Sequence, residues 1–361
     1  MKQIAILALM SSFSLQISAS TIPDAPIPAL EVGLEASENL VSKLAWIDNY
    51  TLLATAQIDA HSNFWERKVV QVDIRTSKTK DFVNPGALIC TNAVEDVVSI
   101  NVGSAASVYT GNSKEPAPQL KFYRWNRGKL TPKALSDNWN PYICKKTKVA
   151  DTKIPGPMAL AKADGIRYLE SKDGYLETTQ RQTREESTIA LIRNEKFVAT
   201  LQAKPHQVAP DPQYLAFRDE YILSSGVFVT NGSLDEARTT EYPLLTMTRS
   251  GSLNREYFRP VFERSGLTVE GQTFPYAKGT LIFVSNRPNV GGGIYLSQGA
   301  TIKRVWCTNQ GYGFGRSCQA TWISMSPDGC HFAFFANSSD NLTPTRPITS
   351  RPTLKILPLC K

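Results

Sequence analysis

The stretch Trp322–Phe334, WISMSPDGCHFAF, places a tight turn directly before an apolar strand. Pro327 fixes φ at the first turn position, Asp328 can accept backbone N–H groups, and Gly329 supplies a left-handed residue before the strand. Turn geometry therefore explains each residue type. For this reason we interpret Asp328 as a turn residue rather than as a catalytic acid.

The same pattern occurs 51 residues earlier in the chain. Leu281–Asn286, LIFVSN, matches Phe332–Asn337, FAFFAN, position by position, and each follows a turn, at 276–279 and at 326–329. A weaker copy, Asp48–Ala54, begins the first repeat. A repeat of this length is typical of a β-propeller, in which each blade is one small sheet. Roughly 340 residues in blades of 45–55 residues give six blades, with seven as the alternative.

Short runs rich in Val, Ile, Tyr, Phe and Thr recur along the chain, bounded by Gly, Pro, Asn and Asp. This pattern indicates many antiparallel strands. The clearest predicted strands are Tyr50–Ala56, Lys68–Ile74, Asp96–Val102, Leu120–Trp125, Ser187–Ile192, Lys196–Leu201, Tyr221–Val229, Leu281–Ser285 and Phe332–Ala336. Ile27–Leu44 is the one segment in which we expect a short helix. We predict an all-β fold, a β-propeller of four-stranded antiparallel sheets, with a large sandwich as the alternative.

Two segments between about residues 272 and 340 resemble the repeat of TolB-type β-propellers. Trp322–Phe334 is similar to the W-x-x-x-SPDG repeat of that family, and Phe283–Arg287 with Gly291–Leu296 is similar to its companion F-x-S-N-R … GG-x-I-Y-L motif. The resemblance implies a single β-propeller domain over residues 21–361, commonly with six blades. Periplasmic binding proteins, peptidase accessory domains and some polysaccharide enzymes share this repeat, so it implies a fold and not a function.

The first twenty residues predict export. Met1–Gln3 carries a positive charge, Ile4–Met10 is apolar, and Ser18–Ser20 ends in small residues, which together indicate a signal peptide over residues 1–20 that is cleaved before Thr21. A buried structural helix is the alternative interpretation. No lipobox cysteine follows, so we expect a periplasmic or secreted protein rather than a lipoprotein. Loss of Lys2 with the leader lowers the net charge from +8 to +7, and the mature chain stays basic.

The six cysteines are interpreted as disulfides, because an even number in an exported protein is typical of cross-linking. No C-x-x-C pair occurs, so zinc-ribbon and thioredoxin chemistry have no local support. Six cysteines allow fifteen pairings. The spacing favours Cys307–Cys318 and Cys330–Cys360, and it leaves Cys90–Cys144 by remainder. A catalytic cysteine is the weaker alternative.

The charge is concentrated between Ser113 and Ala150, which contains nine basic and two acidic residues. That net of +7 equals the net charge of the mature chain, and aromatic residues lie among the cations. Alternation along the strand would place Lys121, Tyr123 and Trp125 on one face of a hairpin and Phe122 and Arg124 on the other. The residues that we predict to bind an anionic partner here are Tyr123, Arg124, Trp125, Arg127 and Lys129. A solvated edge strand, whose cations prevent aggregation, is the alternative interpretation.

The second candidate binding element is the loop between Cys307 and Cys318. It carries Tyr312, Phe314 and Arg316 among three glycines. A bridged loop would lose less entropy on binding, so these three residues could form a preorganised recognition element. A tight stabilised turn is the alternative. The glycine run is not a nucleotide fingerprint, because no βαβ context surrounds it.

Catalytic templates are missing from the sequence. There is no G-x-S-x-G elbow and no H-E-x-x-H motif, and the three histidines are scattered, so no catalytic residue, metal or cofactor is predicted. No later apolar run reaches the ~20 residues of a membrane span. We expect a monomer that binds another envelope or secreted protein, or an acidic glycan, and not nucleic acid. A protein-binding, inhibitory or scaffold module is the favoured function, and the alternative is a lyase or hydrolase acting on an anionic polysaccharide. A passive protein held at an anionic envelope by its charge is a third interpretation.

Overall fold

The structure is a computed structural model. It describes residues 22–36, 43–58, 67–92, 96–102, 119–126, 129–135, 139–140, 142, 144–146, 165–171, 187–193, 196–203, 213–224, 226–230, 243–265, 270–285, 293–306, 320–336 and 352–360. The predicted signal peptide, the Cys307–Cys318 loop and Arg127 lie outside these residues.

Short antiparallel strands form the fold, and the first one, β1 (Leu30–Glu35), belongs to the last sheet. Sheet I consists of β2 (Leu44–Trp46), β3 (Thr51–Gln57), β4 (Arg67–Asp73) and β5 (Lys78–Val83). Sheet II consists of β6 (Gly86–Asn92), β7 (Val97–Val102), β8 (Gln119–Asn126) and β9 (Lys129–Pro132). In both sheets the strands lie side by side in chain order.

The central part of the chain forms antiparallel sheets with fewer described strands. A two-stranded ribbon consists of β10 (Trp139–Asn140) and β11 (Lys145–Lys146). Sheet III consists of β12 (Gly165–Ser171), β13 (Ser187–Arg193) and β14 (Lys196–Ala203). β-branched and aromatic residues recur in these strands, which suits a pleated sheet.

The C-terminal part of the chain forms three further sheets. Sheet IV consists of β15 (Gln213–Leu215), β16 (Glu220–Ser224), β18 (Leu244–Thr248) and β19 (Leu253–Glu256). Sheet V consists of β17 (Val227–Val229), β20 (Glu270–Tyr276), β21 (Gly279–Ser285), β22 (Gly293–Gln298) and β23 (Thr301–Trp306). Sheet VI consists of β24 (Ala320–Met325), β25 (His331–Ala336), β26 (Thr353–Pro358) and β1. A single helix among the described residues, α1 (Arg259–Arg264), links sheets IV and V.

Neighbouring sheets pack face to face through separate apolar cores. Leu53 of sheet I and Leu88 of sheet II share one core, and the other face of sheet I, with Leu52, packs against Phe335 of sheet VI. Sheets V and VI meet through a third core, which includes Phe334. Sheets V, VI, I and II therefore stand side by side in this order, and the N-terminal strand β1 completes sheet VI. The fold is a β-propeller, as the sequence predicts.

The two repeated segments, Leu281–Asn286 and Phe332–Asn337, correspond to equivalent strands in two sheets. β21 and β25 are both the second of four consecutive antiparallel strands, and β3 holds that position in sheet I. The blade count of six, or seven, stays a prediction.

Residues 27–36 and 43–44 of the segment in which a helix is expected contain β1 and the start of β2 instead, because Leu30, Val32 and Leu34 alternate inward against the core between sheets VI and I. Residues 37–42 lie outside the described residues. Tyr221–Val229 is not one strand either. It divides into β16 and β17, and β17 leaves sheet IV to pair with β20 at the edge of sheet V.

The N-terminal segment 22–36 holds the ring closed. Arg304 on β23 donates to both carboxylate oxygens of Asp24, at 2.7 and 3.1 Å. Backbone hydrogen bonds join the N-terminal segment to β23 on both sides of this pair, in parallel orientation. β1 then pairs with β26, where Lys355 is 2% exposed and forms an ion pair with Glu31 at 2.5 Å. The segment thus fastens sheets V and VI on their outer rim. We call it the N-terminal strap.

Two predicted disulfides are confirmed. Cys90 on β6 is bonded to Cys144 beside the β10–β11 ribbon, and Cys330 at the start of β25 is bonded to Cys360 near the C-terminus. No free cysteine occurs among the described residues. The remaining predicted pair, Cys307–Cys318, lies outside them.

Candidate functional site

Successive strands of each sheet run in opposite directions, so the turns between them lie on two different faces of the propeller. We call one the turn face: it carries the turns between the first and second and between the third and fourth strands of each sheet. The described segments on it are 47–50, 74–77, 216–219, 249–252, 277–278, 299–300 and 326–330. We call the other the connection face, because the chain passes there from one sheet to the next, as at Asn84-Pro85.

Aspartates fix the turns on the turn face. Asp48 accepts the backbone N–H groups of Tyr50 and Thr51 at 2.8 and 2.6 Å. Asp328 accepts the N–H of Cys330 at 3.0 Å, which supports the interpretation of Asp328 as a turn residue. Gly329 has a φ of 67° and lies so close to Ala277 N that a Cβ there would be 2.8 Å from it. These residues shape the face rather than act on a ligand.

An exposed tyrosine and an arginine form a pair at the corner where sheets VI and I meet. Tyr50 is 45% exposed, and the Arg75 guanidinium lies 5.1 Å from the centre of its ring. Arg75 also donates to both oxygens of Asp73, at 3.1 and 2.9 Å, and these bonds lower the pKa of that carboxyl. On the other side, His331 lies between Tyr50 and the nearly buried Trp46, with ring centres 6.3 and 6.0 Å away. We call this set the aromatic corner.

Sheet IV carries a second pair of the same kind. Tyr214 is 44% exposed, and Arg249 from the next turn lies 5.5 Å from its ring centre. The Tyr214 hydroxyl donates to Asp219, and this hydrogen bond raises the pKa of the tyrosine. Arg249 is also 3.5 Å from Asp219. Tyrosine and arginine are the residue types that most often dominate protein interfaces.

A buried carboxylate lies beneath this second pair. Glu220 is 6% exposed and forms an ion pair with Arg218, whose guanidinium also donates to Gly279 O in sheet V at 3.1 Å. Burial raises the pKa of Glu220, and Arg218 opposes that rise. This arrangement joins sheets IV and V at the turn face, so we assign it a structural role.

The predicted basic hairpin consists of β8, which ends at the turn face, and β9, which begins there. Its alternation is confirmed, because Tyr123 packs toward sheet I and Phe122 packs toward the Cys90–Cys144 bridge. Tyr123 is half-buried, its ring centre lies 5.1 Å from that of Phe82, and burial raises its pKa. The aromatic rings of the hairpin therefore contribute mainly to packing between sheets.

The cations of the same hairpin point outward. Arg124 and Lys129 are exposed, and Trp125 is half-buried. The backbone N–H of Trp125 donates to the Asp96 carboxylate at 2.9 Å. β9 is the outer edge strand of its sheet, so protection of an edge explains part of this charge. Arg127 lies outside the described residues.

The second predicted cluster, Tyr312, Phe314 and Arg316, lies outside the described residues.

The two exposed tyrosine–arginine pairs were not predicted from the sequence. Asp48-Asn49-Tyr50 is a weak copy of the repeated turn, which is a local signal for the first pair, whereas Tyr214 lies within β15 and has no such turn signal. The arginines come from a second turn of the same sheet, at a distance in sequence that no local motif reveals.

The described residues contain neither a cluster of metal ligands nor a long apolar helix. Among them, no group of three or more His, Cys, Asp or Glu side chains could hold a metal ion. No helix in that part of the chain is long and apolar enough to cross a membrane.

Comparisons with known proteins find solved structures of low similarity. No protein-family model matches the chain, and no curated protein matches its sequence. The β-propeller domain of the Trilobed protease from Pyrococcus furiosus is similar at 7% identity and a TM-score of 0.29, over 83% of this chain and 78% of that one. Acylaminoacyl peptidase from Pyrococcus horikoshii is similar at 8% identity and a TM-score of 0.31, over 83% of this chain and 43% of that one.

A third similar structure comes from another class of protein. The PQQ-bound aldose sugar dehydrogenase from Streptomyces coelicolor is 10% identical, with a TM-score of 0.23, over 93% of this chain and 99% of that one. At these identities and TM-scores, no activity of the three proteins transfers to this chain.

Proposed function

We propose that this chain is an exported, disulfide-stabilised β-propeller of the TolB-repeat type that binds another envelope or secreted protein through its turn face. The observation that carries the proposal is the pair of exposed tyrosines, Tyr50 and Tyr214, each covered by an arginine of a neighbouring turn. Rigid aromatic rings and arginines supply contact area at a low entropic cost. The two disulfides support export, since such bonds persist in oxidising compartments.

The turn face also provides a source of long-range attraction. Arg124 and Lys129 are exposed beside it and would raise the rate of encounter with an acidic partner. Tyr50 and Tyr214 would then make the desolvated contacts that slow dissociation. This division predicts that salt weakens the encounter more than it weakens the final complex.

The test is capture of a partner by the mature protein, residues 21–361, from envelope and medium extracts washed at two salt concentrations. The captured protein is purified, and its affinity is measured against wild type and against Tyr50→Ala, Tyr214→Ala and Tyr257→Ala. Tyr257 is the matched control, because it is 53% exposed but follows β19 at the connection face.

We expect the two turn-face variants to lose at least about tenfold in affinity and the control to bind like wild type. Equal affinity of all three variants would contradict the proposed face. Recovery of only salt-labile glycan or lipid would contradict protein binding and favour the polysaccharide enzyme or the passive envelope protein.

A further inference from the structure

The outer strand of sheet I carries two lysines that the charge count of the sequence did not single out. Lys78 and Lys80 are exposed on β5, the last strand of its sheet, and among the described strands none pairs with its outer edge. Lys80 pairs with Gln71, which pairs with Leu53, a residue of the core between sheets I and II. Cross-strand partners share a face, so both lysines are on the sheet II side.

The basic hairpin adjoins this strand. Phe82 of β5 contacts Tyr123 of β8, and Leu130 of β9 packs into the same core, so the outer rims of the two sheets are in contact. Lys121 alternates with Tyr123 and is therefore on the side of β8 that faces sheet I, so it adds to the charge of the two lysines of β5. Arg124 and Lys129 are on the other side of the hairpin.

Not every nearby cation contributes to this surface. Lys68 forms an ion pair with Asp81 at 3.0 Å, which points to the opposite side of β5, and Lys133 donates to Asp96 O at 3.1 Å. Lys78 and Lys80 alternate along the strand on one side only, at the spacing of residues that share a face.

We propose that β5 receives an extended acidic segment of the partner protein as an added strand, a proposal that rests on the proposed protein-binding function. Backbone groups of such a segment would pair with the outer edge of β5, and its alternate carboxylates would face Lys78 and Lys80. The same lysines repel a second basic edge, such as β5 of another copy, and favour an acidic strand. A glycan could meet the charge but could not continue the backbone ladder, so the edge favours a polypeptide.

The probe is a fluorescein-labelled peptide of six Glu-Thr repeats, which presents carboxylates on one side when extended. Its affinity is measured by anisotropy for the mature protein, for Lys78→Ala/Lys80→Ala, and for Arg255→Ala/Lys303→Ala. The control removes the same charge from exposed positions on sheets IV and V. We expect about tenfold weaker binding for the first double variant and unchanged binding for the control.

Two N-methylated versions of the peptide test strand addition itself. The N–H groups that pair with one neighbouring strand belong to alternate residues, so methylation of either the glutamates or the threonines should abolish binding, while the other version still binds. Equal binding of both versions, equal loss in both double variants, or tighter binding of oligogalacturonate than of the peptide would overturn the proposal.

The two proposals fail separately. Tyr50→Ala and Tyr214→Ala should leave peptide binding unchanged, because neither residue is on β5. Peptide binding that fails while a captured partner still depends on Tyr50 and Tyr214 contradicts only the added strand.

Discussion

The aromatic corner and the basic hairpin both lie at the turn face, yet their tyrosines differ in exposure. At the corner, Tyr50 is exposed, and Arg75, which is also exposed, is bound by both oxygens of Asp73. In the hairpin, Tyr123 is packed between sheets, while Arg124 and Lys129 are exposed. A disulfide lies near each region, so covalent cross-linking does not explain the difference.

The difference follows from position within the blade. Tyr50 is in a turn at the end of sheet I, where its ring lies beside His331 and Arg75 and stays 45% exposed. Tyr123 is in mid-strand on the side that faces sheet I, so its ring completes an inter-sheet core. Charge density in the sequence therefore locates cations well, whereas the exposure of an aromatic residue depends on whether a neighbouring sheet packs against its side chain.

The largest expected effect tests the N-terminal strap, which completes sheet VI, one of the two sheets that meet at the aromatic corner. Glu31→Ala leaves Lys355 buried without its carboxylate, and we expect a loss of about 3 kcal/mol in the free energy of unfolding. The measurement is urea denaturation of the mature protein. Glu35→Ala, an exposed position on the same strand, is the control and should change little. Adding Lys355→Met to Glu31→Ala should restore most of the loss, and equal destabilisation by Glu31→Ala and Glu35→Ala would show that the strap does not need this pair.

A smaller effect separates the two tyrosines. Tyr123→Ala removes a ring that contacts Phe82, and we expect it to lower the free energy of unfolding by about 2 kcal/mol. Tyr50→Ala should change it by less than about 0.5 kcal/mol, because that ring is exposed. Denaturation midpoints of the two variants provide the measurement. Similar midpoints would mean that the proposed contrast between a packing and a binding tyrosine is wrong.

The smallest effect concerns the turn that orients the hairpin. Asp96 has a φ of 52°, and its carboxylate accepts the backbone N–H of Trp125. Asp96→Ala should lower the free energy of unfolding by about 1.5 kcal/mol, because it removes this acceptor and places alanine in a left-handed backbone conformation. Asp96→Asn retains an oxygen acceptor and tolerates that conformation, so its stability should stay close to wild type. Thermal unfolding followed by tryptophan fluorescence compares the two. An asparagine variant as unstable as the alanine variant would assign the effect to charge instead.

Features encoded by short-range patterns were predictable. The Pro-Asp-Gly turn, the 51-residue repeat and two disulfides follow from local residue types and spacing, and the structure confirms them. The alternation of Tyr123 and Phe122 also follows from strand periodicity alone.

Features that depend on distant partners were not predictable. Glu31 and Lys355 are 324 residues apart, and the alternation of Leu30, Val32 and Leu34 indicates a strand but not the sheet that it completes. The division of Tyr221–Val229 has the same origin, since β17 exists only because β20 offers it an edge. Likewise, Arg75 reaches Tyr50 only through the antiparallel pairing of sheet I.

The decisive measurement is hydrogen–deuterium exchange of the mature protein with and without the captured partner. Binding through the turn face predicts slower exchange at 47–50, 74–77, 216–219 and 249–252, with little change at 257–262 on the connection face. Protection confined to 257–262, with the turn-face segments unchanged, would contradict the proposed binding face.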